Sequence, residues 1–513
     1  MSTDIVPPPG LTRLDAEALQ PSAWRFDLLP LVDARARGVL PIESNGNPLL
    51  ILADPTDLTV WQWVVAQPVR WRLAITQPGE VESALALAGE QQRTLGEMDW
   101  DADSAAEGEG QITEITRETL ESAASPVIRL IDSTLFDALA LGASDIHLES
   151  LSNGLGIRYR LDGVMRPMGQ MAGTELAEHA LSRLKILSGL DIGERRIPQD
   201  GRFRTRIEGR SLDVRVSIIP SIWGEDAVLR LLDTSQLADR LTLDTLGIVG
   251  ESARRLRRLT AHPHGMMLIT GPTGSGKTTT LYAALGELNH EEEKIITIED
   301  PVEYQLAGVM QIPVNERKGL TFARGLRSIL RHDPDTVLVG EIRDGETATI
   351  AIQAALTGHR VLSSIHANGV FSVIERFRFM GVEPFTLAEA FNGVVAQRLV
   401  RRVCEACAEP GAADAALARR FGVEDPALDH AACRHGKGCD VCRGSGFRGR
   451  LAILETLEFD SALREAMARG ATSAELARLA AAHGHRPLVQ DAAQAALNGL
   501  TTLEEVSRVV DLD

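Results

Sequence analysis

Cysteine is almost missing from this sequence. Five occur among 513 residues, none before position 404 and all within 404–442. So sparse and local a set argues against a disulfide framework and points to metal binding. Long apolar runs are missing too. No stretch of about 18 apolar residues appears, so no transmembrane helix is expected. The opening MSTDIVPPPG has neither a basic n-region nor an apolar core, so a cytoplasmic protein without a secretory signal is expected. Excess positive charge is absent. The net charge is −18, and residues 1–112 carry 17 acidic against 7 basic residues. Aromatics make up 4% of the chain, and no stretch interleaves them with basic residues. Coating a nucleic acid needs clustered Lys and Arg, and gripping a single strand needs stacking rings, so both are disfavoured.

What is present centres on GPTGSGKT, Gly271 to Thr278, which meets every fixed position of the phosphate-loop pattern. The apolar run 266–269 before it reads as a buried strand, and Thr279 to Asn289 reads as a helix. Gly271, Gly274 and Gly276 let the backbone curl through Pro272, so that the N–H groups of Thr273, Ser275 and their neighbours aim at phosphate oxygens. The helix N-terminus adds unpaired donors and its dipole. Lys277 would reach the β and γ phosphates of ATP, and the Thr278 hydroxyl would hold Mg²⁺.

The rest of the chain arranges itself around that loop. Residues 1–97 read as a small domain of strand-and-helix units, at 29–43, 48–58 and 71–89, and serve either as scaffold or as a docking module. Residues 98–111 are acidic and rich in Ala and Gly, and read as a flexible linker. An α+β domain is expected over 112–233, with a helix in 125–141 and a strand at Gly154 to Leu161 that turns at Asp162-Gly163. Alternation in GRFRTRI puts Arg202, Arg204 and Arg206 on one strand face, and Arg215 takes a polar position in LDVRVSIIP. Such arginines are a solvated face or a reach toward a nucleotide.

A hinge at 234–247 then leads to the nucleotide-binding core at 248–400. Strand 295–298 delivers Glu299, Asp300 and Glu303 at its carboxyl end, where ligands of open α/β sheets bind. A helix carrying Arg324, Arg327 and Arg331 precedes strand 336–340, which ends in Glu341 at the Walker B position. His359 and His366 bracket a third strand. The module 401–455 holds two C-x-x-C knuckles, Cys404/Cys407 and Cys439/Cys442, the pattern for a closed tetrahedral Zn²⁺ site of structural type. Cys433 stands outside both, and His430 and His435 are weaker ligand candidates. Residues 456–513 read as helices.

Taken together, ASDIHLE, YRLDGVM, IPQDGRF, VRVSIIPSIWGE, GPTGSGKT, TIEDPVEY, ILRHDPDTVLVGEIRD, TGHRVLSSIHAN, QRLVRR, the two knuckles and GSGFRGRLAILE resemble the secretion and type IV pilus assembly ATPase superfamily. Within it the chain is most similar to the type II secretion ATPases, the E proteins of the general secretory pathway, over about 120–460. The resemblance implies a multidomain α/β protein with a RecA-like P-loop ATPase core, α+β N-terminal domains, a four-cysteine zinc module and a small helical C-terminal region. Glu299, Asp300 and Glu303 fall in the family's aspartate box, and His359 and His366 in its histidine box. Arg202, Arg215, Arg324 and Arg331 would meet the phosphates of a neighbouring subunit in a homohexamer. The N-terminal domain would dock on the cytoplasmic domain of an inner-membrane secretion protein, beside a polytopic platform protein, making the ATPase peripheral to that membrane. Ser150 and Ser364-Ile365-His366-Ala367 depart from the family's commoner residues, and 408–438 diverges. A type IV pilus extension ATPase is the nearest alternative. A nucleic-acid translocase and a nucleotide switch are further ones, disfavoured by the charge and by the retained acids.

Overall fold

The computed structural model describes residues 12–14, 114–122, 125–233, 241–290, 292–423 and 432–510, and, with short breaks, 23–91. The expected linker at 98–111, the first half of the expected hinge and His430 lie outside the described residues. The chain divides into two compact units. One is Met1–Ser235 with Cys404–Ala408 and Gly436–Arg448; the other is Gln236–Val403, Glu409–His435 and Gly449–Asp513.

The first unit contains two sheets. A four-stranded one, ordered Thr12–Arg13, Arg72–Ile75, Asn47–Leu52, Val39–Ser44, is joined by helices Leu31–Arg37, Leu58–Val65 and Glu80–Gln91. These are the strand-and-helix units expected from the sequence. The second sheet has seven strands, ordered Glu114–Ile115, Gln199–Ile207, Arg210–Ser221, Gly224–Asp233, Ala143–Leu151, Gly154–Leu161, Val164–Ala172. Its period-2 alternation buries Phe203, Val214, Leu229, Ile146 and Tyr159 against helices Pro126–Leu141 and Thr174–Ser188. The opposite face carries the arginines. At the Asp162-Gly163 turn both residues are left-handed, with φ of 48° and 82°. That is the geometry an Asp-Gly hairpin demands.

In the second unit six strands run parallel, ordered Met310–Pro313, Ile295–Glu299, Thr336–Val339, Arg360–Ile365, Gly265–Thr270 and Phe391–Val403, and Phe447–Glu458 completes the sheet. A sheet covered on both faces needs strands that are apolar throughout, and Gly265–Thr270 and Arg360–Ile365 are buried at all positions. Alternate side chains divide between two cores. Met266, Leu268, Val337, Val339 and Val361 join one with helices Phe322–Ile329, Gly345–Leu356 and Val370–Phe379. Met267, Ile269, Leu338 and Leu362 join the other with helices Gly250–Thr260 and Lys277–Leu288. The second half of the expected hinge differs from a linker. Leu241 and Leu243 are buried in this second core, and the Leu243 N–H donates to Glu287 at 3.1 Å. Alternating leucines give that segment enough apolar surface to pack. Helices Ser461–Ala468 and Ser473–Ala482 also join the first core, so they belong to the same unit as the strands.

One charge in the first unit is at odds with its surroundings. Burial raises the carboxyl of Asp132, in helix Pro126–Leu141, from 3.8 to about 6, against the pull of Arg183. The folded value exceeds the unfolded one, so the stabilising contribution is complete below about pH 4 and is lost as pH rises through about 6. Asp132→Asn is therefore expected to stabilise the protein by about 1–2 kcal/mol at pH 7.5 and by almost nothing at pH 4. Melting curves of both proteins at the two pH values measure this, and an equal shift at both would refute it.

Candidate active site

The glycine loop leaves strand Gly265–Thr270 at its carboxyl end and enters helix Lys277–Leu288. Gly271, Gly274 and Gly276 have φ of 151°, 79° and 83°, a region that penalises side chains. At Gly271 space is short as well, since a Cβ would stand 2.5 Å from the Gln397 carbonyl oxygen and 2.7 Å from Ser275 Oγ. Gln397 reaches under the loop and donates from Nε2 to the Ser275 carbonyl at 2.7 Å. Pro272, Thr273 and Gly274 are exposed at the tip, and Thr278 is half-buried at the helix start. Lys277 is buried, with Nζ donating to the carbonyls of Gly271 at 2.8 Å and Pro272 at 3.1 Å. Burial lowers its pKa; Arg398 adds to that and Glu341 opposes it. Ser275 Oγ is buried without a hydrogen-bond partner. A loop with one orphaned hydroxyl, and a lysine turned back on its own carbonyls, fits a polyanion that would engage both.

Polar groups from neighbouring strands converge on this lysine. Glu341 follows strand Thr336–Val339 and His366 follows strand Arg360–Ile365, with His366 Nε2 3.4 Å from Glu341 Oε2. Arg343 holds Glu341 at 2.5 Å and Asp300 at 3.4 Å. Burial lowers the His366 pKa; the Lys277 and Arg343 charges lower it further, and Glu341 opposes them. The Thr270 hydroxyl ties the loop strand to this region, donating to the Ala367 carbonyl at 2.8 Å and accepting from the Ala367 N–H at 3.0 Å. The structure thus brings Lys277, Glu341, His366 and Asp300 to one place.

Other expected residues fall elsewhere. Glu299 was expected among the catalytic acids, but it is only 3% exposed and turned into the core. Thr297 donates to it at 2.5 Å, Gln311 at 3.2 Å, and the Tyr282 hydroxyl also donates. Burial raises the Tyr282 pKa, which keeps that hydroxyl a donor. Glu303 is half-buried nearby, its N–H donating to the Tyr282 oxygen at 3.4 Å. His359, expected to touch nucleotide, directly precedes strand Arg360–Ile365 while His366 directly follows it. At about 3.3 Å per residue the two stand roughly 20 Å apart. His359 Nδ1 instead contacts the Ala354 carbonyl at 3.0 Å and Thr357 at 3.2 Å, closing the preceding helix. Arg324, near the start of helix Phe322–Ile329, donates to the Gly319 carbonyl at 3.2 Å, and exposed Arg331 lies past its last turn. Arg202 and Arg215 lie in the first unit, directly cross-strand from each other. Arg230, which no sequence motif marks, stands opposite Arg215 and pairs with Asp145 at 3.0 Å. Arg343, Arg398, Tyr282 and Gln397 also reach this region without being among the expected residues. Arg343 and Arg398 each directly follow or closely flank a motif, in GEIRD and QRLVRR, which is the one sequence signal they give.

The four cysteines Cys404, Cys407, Cys439 and Cys442 form a separate centre. Their sulfurs all lie within 4.8 Å of one another, with 404–439 at 3.9 Å and 407–442 and 439–442 at 3.7 Å. Four sulfurs each about 2.3 Å from one ion would stand about 3.8 Å apart, so the set could hold a tetrahedral metal. Burial pushes the Cys407 thiol up to about 12. Burial also pushes Cys442 upward, but N–H groups of Cys439 and Gly446, each 3.2 Å from its sulfur, help bring it down to about 7. Cys433 is not in the group.

Among the described residues no helix is long and apolar enough to cross a membrane. The sequence profile of a family described as Type II/IV secretion system protein matches residues 120–508. The type II secretion system protein E of Dickeya dadantii (strain 3937) is 48% identical over 387 residues, 75% of this chain and 76% of that one. Its counterpart from Klebsiella pneumoniae is 42% identical over 502 residues, 96% of this chain and 99% of that one. Among solved structures, the pilus retraction motor PilT with bound ADP is 26% identical, with a TM-score of 0.50 over 73% of this chain and 95% of that one. With a profile match over most of its length and relatives this similar, the chain belongs to the Type II/IV secretion system protein family.

Proposed function

We propose that this chain is an ATPase that couples ATP hydrolysis to pseudopilus assembly and to protein export across the outer membrane by a type II secretion system. The observation that carries the reading is the glycine loop, wedged against Gln397 with Lys277 facing Glu341 and His366 at the carboxyl ends of a parallel sheet. Loop N–H groups and Lys277 bind the phosphates, leaving the γ-phosphoryl beside the acids. Thr278 and Glu341 would hold Mg²⁺, which would supply charge neutralisation. Glu303, half-buried and so less enclosed than Glu299, takes the proton of attacking water, while Glu299 fixes Tyr282 and Gln311. Arg343 orients Glu341 and Asp300.

The four cysteines would hold Zn²⁺, which would stabilise the fold without performing chemistry, because four thiolates leave no open position. The chain works as a homohexamer at the cytoplasmic face of the inner membrane. Its N-terminal domain docks on the cytoplasmic domain of an inner-membrane secretion protein, next to a polytopic platform protein. Arg202 and Arg215, with Arg324 and Arg331, face the nucleotide of a neighbouring subunit. In support, exposed Arg202 lies cross-strand from Arg215 on the polar face of its sheet, aligned as one stripe.

Lys277→Ala is expected to cut ATP turnover by at least about a hundredfold. Glu341→Gln should do the same while ATP still binds. Phosphate release and equilibrium nucleotide binding measure both, and normal turnover by either variant would overturn the assignment. Metal analysis of unchelated protein should give about one zinc per chain, and Cys404→Ser should lower both that ratio and the melting temperature. A full melting temperature after complete chelation would contradict a structural metal. Mixing Lys277→Ala with Arg215→Ala chains should restore some turnover, because some interfaces pair an intact loop with an intact arginine. Absence of any recovery would remove Arg215 from the neighbour's site.

A further inference from the structure

Strand Phe391–Val403 runs parallel to the loop strand, with Ala396 opposite Thr270, the last strand residue before the loop. The next two residues, Gln397 and Arg398, are therefore carried past the glycine loop itself. Gln397 is 1% exposed and supports the loop from below, and its Oε1 is buried without a partner. Arg398 has the opposite placement. Its Nη1 would stand 3.3 Å from a Cβ at Gly271, so the guanidinium lies against the first residue of the loop. Nη1 donates to the Gln397 carbonyl at 3.1 Å, and Nη2 to the Asn368 carbonyl at 2.9 Å. Both acceptors are backbone carbonyls, and these two bonds aim the group. Asn368 lies two residues beyond His366, the histidine that faces Glu341.

Two cations are thus gathered at one loop: burial lowers the Lys277 pKa, Glu341 opposes that, and the Arg398 charge adds to the lowering. Like charges at a partly desolvated place repel, and an anion between them removes that cost. We propose that Arg398 is a phosphate-binding residue supplied by the same chain as the loop, gripping the nucleotide polyphosphate together with Lys277 and tethered through Asn368 to the segment that carries His366. A planar guanidinium suits this task, because it can hold a carbonyl on one edge and offer phosphate the other. The inference rests on the ATPase reading above and differs from the arginines of the first unit in origin, since it needs no neighbouring subunit.

The test uses the full chain with Arg398→Ala, Arg398→Gln and Arg398→Lys, and a fluorescent ATP analogue as probe. Arg398→Ala is expected to weaken binding about ten- to a hundredfold, the loss of a charged hydrogen bond, with the melting temperature of nucleotide-free protein little changed. Arg398→Gln keeps a donor for Asn368 but no charge, so it should bind as poorly as the alanine variant. Arg398→Lys should recover part of the affinity. Wild-type affinity in Arg398→Gln would reduce the residue to a structural tether and overturn the proposal. So would recovery of turnover when Arg398→Ala is mixed with Lys277→Ala, because a residue acting within its own chain cannot complement. Should Lys277→Ala also bind the analogue normally, the ATPase reading itself fails. Should only the Arg398 variants bind normally, that reading stands and this inference alone is lost.

Discussion

The close approach of strand Phe391–Val403 to the glycine loop is the constraint on which the rest of the site depends. The Gln397 carbonyl comes so near Gly271 that any side chain there would collide with it. Contact at that distance fixes where the loop turns, and its turning fixes where Lys277 begins the helix. Because the strand and the loop strand are hydrogen-bonded neighbours in one parallel sheet, the geometry follows from the sheet and not from the loop alone. That sheet is packed on both faces, and close-packed interiors resist small displacements. Precision at the loop is therefore paid for by a large buried core whose residues never meet the nucleotide.

The acids show how environment separates residues of one type. Glu299 and Glu341 each lie at or just beyond the end of a core strand, one strand apart. Glu299 has three donors and almost no exposure, which is how a buried carboxylate is kept in a core. Glu341 is partly open, with Arg343 on one side and His366 on the other. A buried, fully satisfied group is suited to holding its neighbours in place. A partly open one, near a lysine whose pKa burial depresses, is suited to meeting a ligand.

The cysteine centre solves a different problem. The chain segments Cys404–Ala408 and Gly436–Arg448 are short, and the core they share with Val441 is small. Little apolar burial is available there to offset the entropy of ordering two loops. Convergent thiolates would supply the missing free energy if they held a metal. N–H groups directed at the Cys442 sulfur already favour its ionised form.

Much of this was legible in the sequence, because it depends on neighbours along the chain. The phosphate loop, the paired knuckles, the Asp-Gly hairpin and the order of strands and helices each follow from local spacing, and the structure places them where spacing put them. What only the tertiary structure decided is which groups of distant segments meet. Glu299 and Asp300 are adjacent in sequence, yet pleating turns one into the core and leaves the other beside Arg343. His359 and His366 look equivalent as brackets of a strand, but a strand has two ends, and the loop lies at one of them. Arg398 lies in QRLVRR, but nothing local directs it to the loop, and it reaches that loop 127 positions upstream only because two strands pair in register. Side-chain direction and strand pairing are set by packing across the whole sheet, and no local pattern encodes them.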